Sequence, residues 1–270
     1  MARFRMSTAN VTQPFEFDAG RYRQASTHQQ EWGARLIAEL RLRGDEAVLD
    51  LGCGDGLLTA RLAQHVPRGR VVGIDASRNM LEAARPLATD RLAFRCLDID
   101  SLDYESEFDL VVSNAALHWI KDHRRLLENV HRALRPGGAC RFNFAADGNC
   151  SHFNRVVQEL MAEARYAQAF VGFEWPWFMP RLEEYESLLS SGPFSSHRVW
   201  GENADRSFPD AGAMTAWIDQ PSLVPFLRCL SGDERQAFRD ATVERMLHLT
   251  RRPGGTQFET FRRIHVMARR

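Results

Sequence analysis

Three glycines at alternating positions follow a short apolar segment in the stretch Val48-Leu49-Asp50-Leu51-Gly52-Cys53-Gly54-Asp55-Gly56. The apolar residues before the glycines predict a buried strand, and the apolar spacing from Leu57 to Val66 predicts a helix after them. Glycine permits positive φ and lets a ligand approach bare main chain. A helix N-terminus also offers unpaired N–H groups. The stretch therefore predicts the first βα turn of a nucleotide-binding α/β domain, with a purely structural turn as the alternative.

The spacing and charge of this turn narrow the choice of ligand. Its G-x-G-x-G pattern differs from the G-x-G-x-x-G of dinucleotide-binding enzymes. Asp50 and Asp55 flank the turn, and their negative charges repel a pyrophosphate. They suit a ligand with positive charge, such as S-adenosylmethionine (SAM), which carries a sulfonium and an ammonium group.

Two further acids stand where neighbouring strands end. Asp75 closes the apolar run 71–75, and an acid at the end of a second strand accepts hydrogen bonds from ribose hydroxyls. Helix capping is the alternative role for this residue. Asp98 follows the predicted strand 92–96, where it is placed to accept from the adenine amine while Ile99 packs on the ring.

The loop after the fourth predicted strand, 108–114, should face the reacting group, since ligands of doubly wound sheets lie beyond the carboxyl ends of the strands. This loop runs from Asn114 to Trp119 and contains His118. His118 and the nearby His123 are the candidate general bases. The other interpretation of His118 is a packed, hydrogen-bonded loop residue.

The remaining elements form five βα units in series, which predict an α/β fold with a parallel sheet. We expect residues 1–17 to be mobile. The loop 172–178 is expected to be an apolar lid over the cofactor site or, alternatively, plain packing. Helices are predicted over 20–43, 150–190 and 210–250, and strands over 139–144, 194–200 and 258–268.

Composition sets limits on partners and location. The chain has 270 residues, 35 Lys and Arg, and 35 Asp and Glu. A formal charge of zero gives no global field to attract nucleic acid, and no secretory signal or long apolar run is present. We expect a cytoplasmic protein that acts on a small molecule, without nucleic acid or membrane partners; the sequence carries no signal for oligomeric state. Solvated side chains are expected for the arginines near the ends, Arg3, Arg5, Arg262, Arg263, Arg269 and Arg270.

The five cysteines are widely spaced and form no C-x-x-C pair. This pattern predicts reduced, mostly buried thiols, with neither disulfides nor a metal site. Cys53 lies within the glycine turn, where its small side chain fits in a packing role.

Over residues 46–144 the order of motifs resembles the class I SAM-dependent methyltransferases. The matching features are the glycine turn, Asp75, Leu97-Asp98-Ile99, Phe108–Ser113 and Leu134-Arg135-Pro136-Gly137-Gly138. The resemblance implies a Rossmann-like seven-stranded sheet with an antiparallel last strand, and a reaction that converts SAM to S-adenosyl-L-homocysteine (SAH).

Three other segments resemble the juvenile hormone acid and trans-aconitate carboxylate O-methyltransferases. They are Leu117-His118-Trp119-Ile120, the pair Tyr22 and Gln29, and the terminal segment 261–269. In juvenile hormone acid methyltransferases the matching glutamine and tryptophan hold the substrate carboxylate. This implies the same role for Gln29 and Trp119, with Gln30 as an alternative alignment for the glutamine.

The chemistry of a carboxylate fits these two neutral donors, which orient an anion without neutralising it. A carboxyl group with a pKa near ~4 is already ionised at pH 7, so in-line methyl transfer needs no general base, only orientation and exclusion of water. The first hypothesis is therefore a carboxyl O-methyltransferase of a small organic acid. The second is an O-, N- or C-methyltransferase with His118 as base. The third is a nucleotide-binding protein without transfer activity, or a dinucleotide oxidoreductase, which the glycine spacing disfavours.

The predicted organisation is a single domain, 1–270, with a helical cap inserted into the sheet. It divides into an N-terminal lid and helix (1–45), a SAM-binding core (46–149), a helical cap (150–192 and 205–252) and the last strands (193–204 and 256–270). Catalytic roles are predicted for Gln29, His118 and Trp119. Cofactor contacts are predicted for Tyr22, Asp50, Gly52, Cys53, Gly54, Asp75, Ala76, Met80, Asp98, Ile99 and Asn114.

Overall fold

A computed structural model describes residues 15–25 and 27–270 of the chain. The strands are β1 (Ala47–Leu51), β2 (Arg70–Asp75), β3 (Leu92–Cys96), β4 (Phe108–Asn114), β5 (Leu134–Ala145), β6 (Ser196–Asn203), β7 (Arg206–Phe208), β8 (Gln257–Glu259) and β9 (Arg262–Arg269). The helices are α1 (Ala19–Ala25), α2 (Thr27–Glu39), α3 (Leu57–His65), α4 (Arg78–Ala84), α5 (His123–Ala133), α6 (Ser151–Met161), α7 (Leu182–Ser190), α8 (Ala211–Trp217), α9 (Val224–Leu227) and α10 (Gly232–Thr250).

A seven-stranded sheet in the order β3-β2-β1-β4-β5-β9-β6 forms the centre of the molecule. The first five of these strands run parallel, and β9 runs antiparallel to both β5 and β6. The predicted seven-stranded sheet with its antiparallel last strand is confirmed. Because β9 runs against β5, its first residues lie at the carboxyl edge of the parallel strands, where Arg263 pairs with Ala145.

Hydrophobic side chains cover both faces of the sheet. All five residues of β1 are buried, since Leu49 packs in one cluster and Val48 in another on the opposite face. A third cluster joins Phe153 of α6, Trp217 of α8 and Phe238 of α10. The third cluster forms a helical cap beside the carboxyl edge of the sheet.

The predicted final strand, 258–268, is wrong in its extent. The segment Gln257–Glu259 pairs with β7 in a separate two-stranded sheet, and β9 begins only at Arg262. The fully buried carboxylate of Glu259 accepts the backbone N–H of Phe153 at 2.9 Å and of His152 at 3.2 Å. This cap of α6 fixes β8 beside the helical cap and takes it out of the main sheet.

The N-terminal helix and three other boundaries also differ from the predictions. The expected helix 20–43 corresponds to α1 and α2, and α2 ends at Glu39. In the segment that follows, the carboxylate of Glu46 accepts the N–H groups of Arg43 and Gly44. The sixth strand covers 196–203 instead of 194–200, and the fifth begins at 134 with a register shift before Leu110. The region 150–190 is interrupted by irregular segments between Met161 and Leu182.

The expectation that residues 1–17 are mobile falls mostly on residues 1–14, outside the described residues. For residues 15–17 it is wrong, because these side chains pack on the body of the protein. The rings of Phe15 and Phe17 lie 5.2 and 5.8 Å from that of Trp119. Glu16 accepts a hydrogen bond from Ser77 Oγ at 2.7 Å.

Three further findings concern membrane-spanning helices, metal sites and the cysteines. Among residues 15–25 and 27–270, no helix has the length and apolar character to cross a membrane. In the same part of the chain no cluster of His, Cys, Asp and Glu side chains is placed to hold a metal ion. The five cysteines are free thiols, and Cys96 is exposed and Cys229 half-buried.

Candidate functional site

A cavity of about 500 Å³ opens at the carboxyl edge of the sheet. Its lining includes the three residues predicted to be catalytic, Gln29, His118 and Trp119. It also includes most of the residues predicted to contact a cofactor, namely Tyr22, Gly52, Gly54, Asp75, Ala76, Met80, Asp98, Ile99 and Asn114.

The glycine turn has the backbone conformation that its composition predicts. Gly52, Gly54 and Gly56 have φ values of +72°, +54° and +77°, a region that side chains with a Cβ rarely adopt. A Cβ on Gly52 would stand 2.2 Å from that of Ala116, whereas a Cβ on Gly54 would meet nothing within 4 Å. The turn therefore leaves open space beside the main chain of Gly54, next to the cavity.

The carboxylate of Asp75 is held by two backbone donors. Gly54 N donates to Oδ2 at 2.9 Å and Ser77 N donates to Oδ1 at 2.8 Å. Burial raises the pKa of Asp75, and the two N–H groups act in the opposite direction. Each carboxylate oxygen retains a lone pair for a further donor, such as a ribose hydroxyl.

Asp50 and Cys53 do not line the cavity, although cofactor contacts are predicted for both. Asp50 accepts a hydrogen bond from Thr59 Oγ1 at 2.7 Å, and burial raises its pKa to about 6. The side chain of Cys53 is buried against Gly73, and burial raises its pKa well above the usual range. Both side chains lie behind the turn, where they support it.

The loop after β4 joins the N-terminal helices to the cavity. Asn114 Nδ2 donates to the backbone oxygen of Gln29 at 2.9 Å, and Ala115 has a positive φ of 58°. Asn114 Oδ1 and Gln29 Oε1 are buried and have no hydrogen-bond partner among the described residues. Two polar atoms at the cavity are thus available to a ligand.

His118 and Trp119 form a 3-10 turn over the same loop. Burial and, to a smaller extent, the charge of Arg263 lower the pKa of His118 to about 3. Its Nδ1 is buried without a partner in the described part of the chain. The ring of Trp119 packs against Trp177 at 5.7 Å, beneath the phenylalanines of the N-terminal segment. His118 is therefore a neutral imidazole at pH 7.

His123, the other candidate base, does not line the cavity. Its ring nitrogens lie 3.0 Å from Tyr185 Oη and 2.9 Å from the backbone oxygen of Leu117. Burial lowers its pKa to about 4. These contacts give His123 a structural role in the core.

The loop 172–178 combines both interpretations that its sequence allows. Trp177 lines the cavity, and Phe178 N donates to the backbone oxygen of His118 at 2.8 Å. Phe173 and Trp175 instead pack on Phe226 of the helical cap, each with ring centres 5.3 Å away. One side of the loop covers the site while the other completes the cap.

Arg263 and Asn149 also line the cavity, and neither is among the site residues predicted from the sequence. The expectation that Arg263 is solvated is wrong, since only 3% of its surface is exposed. The signal available was its place between Phe261 and Ile264, inside an apolar strand pattern. Arg3 and Arg5 lie outside the described residues.

Comparison with known proteins gives the family. A profile described as a methyltransferase domain matches residues 48–138. Trans-aconitate 2-methyltransferase of Methylobacterium radiotolerans is 31% identical over 241 residues, which cover 88% of this chain and 92% of that protein. The protein of the same name from Deinococcus radiodurans is 33% identical over 230 residues, or 83% of this chain and 86% of that one.

The chain belongs to the class I SAM-dependent methyltransferases. The crystal structure of YcgJ from Bacillus subtilis shares the fold of this methyltransferase, with a TM-score of 0.63 at 17% identity over 89% of this chain and 98% of that chain. The cofactor of the present protein is SAM, and the lining of its cavity fits that molecule. Gly54 leaves open space beside the main chain, and Asp75 and Asp98 present acids at the ends of β2 and β3.

We predict that Asp75→Ala weakens SAH binding by about 1–3 kcal/mol, the loss expected if Asp75 accepts hydrogen bonds from the ribose hydroxyls and restrains the glycine turn. Isothermal titration calorimetry measures the affinity. Asp103→Ala, which changes an exposed acid outside the cavity, should bind SAH as the wild type does. Unchanged affinity in Asp75→Ala would contradict the ribose role.

A second prediction concerns pH. The pKa of Asp50 is about 6 in the folded protein and near ~4 in an unfolded chain. Between these values the folded state binds more protons, so its free energy of unfolding falls as pH rises. Asp50→Asn removes this titration. Between pH 4 and a pH above 6, the free energy of unfolding of the variant, measured in urea, should rise by about 3 kcal/mol relative to that of the wild type. The exposed control Asp103→Asn should give a plot of unfolding free energy against pH that is parallel to that of the wild type. A parallel plot for Asp50→Asn would contradict the raised pKa of Asp50.

Proposed function

We propose that this methyltransferase transfers the methyl group of SAM to a carboxylate of a small organic acid. The observation that carries the proposal is the state of His118, the imidazole that lines the cavity. An imidazole whose pKa is about 3 is too weak a base to deprotonate a phenol of pKa near ~10. A carboxylate is already ionised at pH 7. The reaction that fits this site is one that requires no proton removal.

Two other titratable side chains at the cavity lead to the same conclusion. Burial raises the pKa of Tyr22 and of Cys150 well above the usual range, so both remain protonated near neutral pH. Of the cavity acids, Asp75 ends β2, and Asp98 and Asp100 follow β3, on the side that we assign to the cofactor. Deprotonation of a hydroxyl or amine acceptor by His118, the second hypothesis, is therefore disfavoured.

The cofactor side of the proposed site uses the first three strand ends. SAM supplies an electrophilic methyl group on a sulfonium. In this arrangement Gly52 and Gly54 present main chain to it, Asp75 accepts from the ribose, and Asp98 accepts from the adenine with Ile99 against the ring. The remaining contacts are assigned to Tyr22, Ala76, Met80 and Asn114, and Asp50 and Cys53 act by supporting the turn.

Gln29 and Trp119 are the proposed clamp for the acceptor carboxylate. Both line the cavity, and no described residue is hydrogen-bonded to the side-chain amide of Gln29. The amide and the indole each carry N–H donors without charge. They orient the anion while its oxygen stays nucleophilic, and the aromatic rings of Phe15, Phe17 and Trp177 around Trp119 exclude water.

The names of similar proteins support the same acceptor. Two relatives that are 31% and 33% identical to this chain are named trans-aconitate 2-methyltransferase, and trans-aconitate is a carboxylic acid. The alternatives are transfer to another atom of a small metabolite, and nucleotide binding without transfer.

Methyl transfer from labelled SAM to a panel of acids, phenols and amines tests the proposal. Crotonate, glutaconate and trans-aconitate supply one, two and three carboxylates on related unsaturated skeletons. We expect label that mild base releases as volatile methanol, which is diagnostic of an ester. Label that resists base would overturn the proposal in favour of another acceptor atom, and cofactor binding with no transfer across the panel would favour a non-catalytic binder.

Gln29→Ala should lower kcat/KM for the acceptor acid about 10-fold or more, since loss of a hydrogen bond to a charged group costs about 1.5–3 kcal/mol. SAH affinity should not change. Gln30→Ala is the matched control, because Gln30 does not line the cavity and instead donates to the backbone oxygen of Arg23 at 3.2 Å. Parallel loss of turnover and SAH affinity in Gln29→Ala would place Gln29 on the cofactor or in the fold.

A further inference from the structure

Arg263 brings a positive charge into the cavity from the antiparallel strand. It is the second residue of β9 and pairs with Ala145, the last residue of β5. Its side chain is buried and lines the cavity together with Trp32 and Asn149. A cation is thus fixed at the carboxyl edge, beyond the strand ends assigned to SAM.

The protein positions this guanidinium but does not neutralise it. Arg263 Nε donates to Asn143 Oδ1 at 2.7 Å and Nη2 donates to Asn143 O at 3.1 Å. The guanidinium carbon lies 4.1 Å from the ring centre of Trp32. Within residues 15–25 and 27–270, no carboxylate forms an ion pair with Arg263, and no acceptor is bound to Nη1. Of its five N–H groups, the others remain available to a ligand.

The neighbouring strand contains a buried arginine outside this cavity, Arg141, and that arginine has a counter-ion. Arg141 of β5 is 1% exposed, and Glu39 Oε2 lies 2.7 Å from its Nη2. A buried charge without a counter-ion is costly, and burial accordingly lowers the pKa of Arg263 to about 9. The group is still largely protonated at pH 7, so its counter-ion is expected from the ligand.

Two indole groups that line the cavity also lack acceptors in the described part of the chain, and one of them, Trp32, lies against Arg263. Trp32 Nε1 and Trp177 Nε1 are buried without partners among the described residues, and both tryptophans line the cavity. Buried donors are normally satisfied. A ligand with several oxygen acceptors supplies partners for donors of this kind, whereas an apolar acid leaves more of them unpaired.

The sheet order separates this charge from the acids of the cofactor side. Asp75 ends β2, and the order β2-β1-β4-β5-β9 puts Arg263 four strand spacings away, which is roughly 19 Å. The clamp residue Trp119 follows β4, between the two. The cavity is therefore acidic toward β2 and β3 and cationic toward β9.

We infer that Arg263 binds a second carboxylate of the methyl acceptor, with Trp32 as the adjacent donor, and so selects di- and tricarboxylic acids over monocarboxylic acids. The inference rests on the proposed carboxylate methylation. It makes Arg263 a specificity residue, while Gln29 and Trp119 hold the carboxylate that receives the methyl group.

Arg263→Met, assayed with crotonate, glutaconate and trans-aconitate, tests the inference. We expect KM for the two polyacids to rise about 10- to 100-fold, the effect of losing a charged hydrogen-bonded contact. KM for crotonate should change less than about 3-fold, and Arg263→Lys should recover part of the loss because it keeps the charge. Arg262→Met is the matched control, since Arg262 is its neighbour, pairs with Asp205 and does not line the cavity.

Calorimetry of trans-aconitate binding to the SAH-loaded enzyme separates this inference from the proposed function, because SAH has no methyl group to transfer. Binding that Arg263→Met weakens at unchanged SAH affinity supports the inference even if no methyl transfer is detected. Binding that does not depend on Arg263, or equal losses for mono- and polyacids, would overturn it. A fall in SAH affinity in Arg263→Met would overturn it as well, by assigning the guanidinium to the cofactor carboxylate or to the fold.

Discussion

The carboxylate of Asp75 joins the first two βα turns, and the shape of the cavity depends on that connection. One oxygen holds the N–H of Gly54 in the glycine turn, and the other holds the N–H of Ser77, which caps α4. Ser77 also donates to Glu16, so the N-terminal segment over the site is anchored at the same point. Because glycine has a wide range of backbone conformations, this buried carboxylate restrains the turn at Gly54.

Charge varies in a consistent direction along the carboxyl edge. Asp75 ends β2 and Asp98 follows β3, a neutral imidazole and an indole follow β4, and the buried cation Arg263 is the second residue of β9. In a low-dielectric cavity such charges act more strongly than in water. The arrangement suits a cationic cofactor at one end and an anionic acceptor at the other. The buried His118 between them stays neutral at pH 7.

The cover of the site is assembled from distant parts of the chain. Phe15 and Phe17 from the N-terminal segment and Trp177 from the loop before α7 pack around Trp119. These rings come from separate segments and share no periodic pattern in the sequence. Their contacts around Trp119 could therefore not be predicted from the sequence. The same holds for β8, which leaves the main sheet because Glu259 caps α6.

The sequence by itself determined the five βα units, the glycine turn and the positions of Asp75 and Asp98. These depend on local spacing: apolar runs set the strands, and a parallel sheet brings their carboxyl ends to one edge. The tertiary structure alone decided that Asp50 and Cys53 lie behind the turn, that His118 is neutral, and that Arg263 is buried in the cavity. Each of those outcomes depends on burial and on neighbours far away in the chain, above all on the antiparallel β9, whose first residues reach an edge that otherwise receives only the ends of strands.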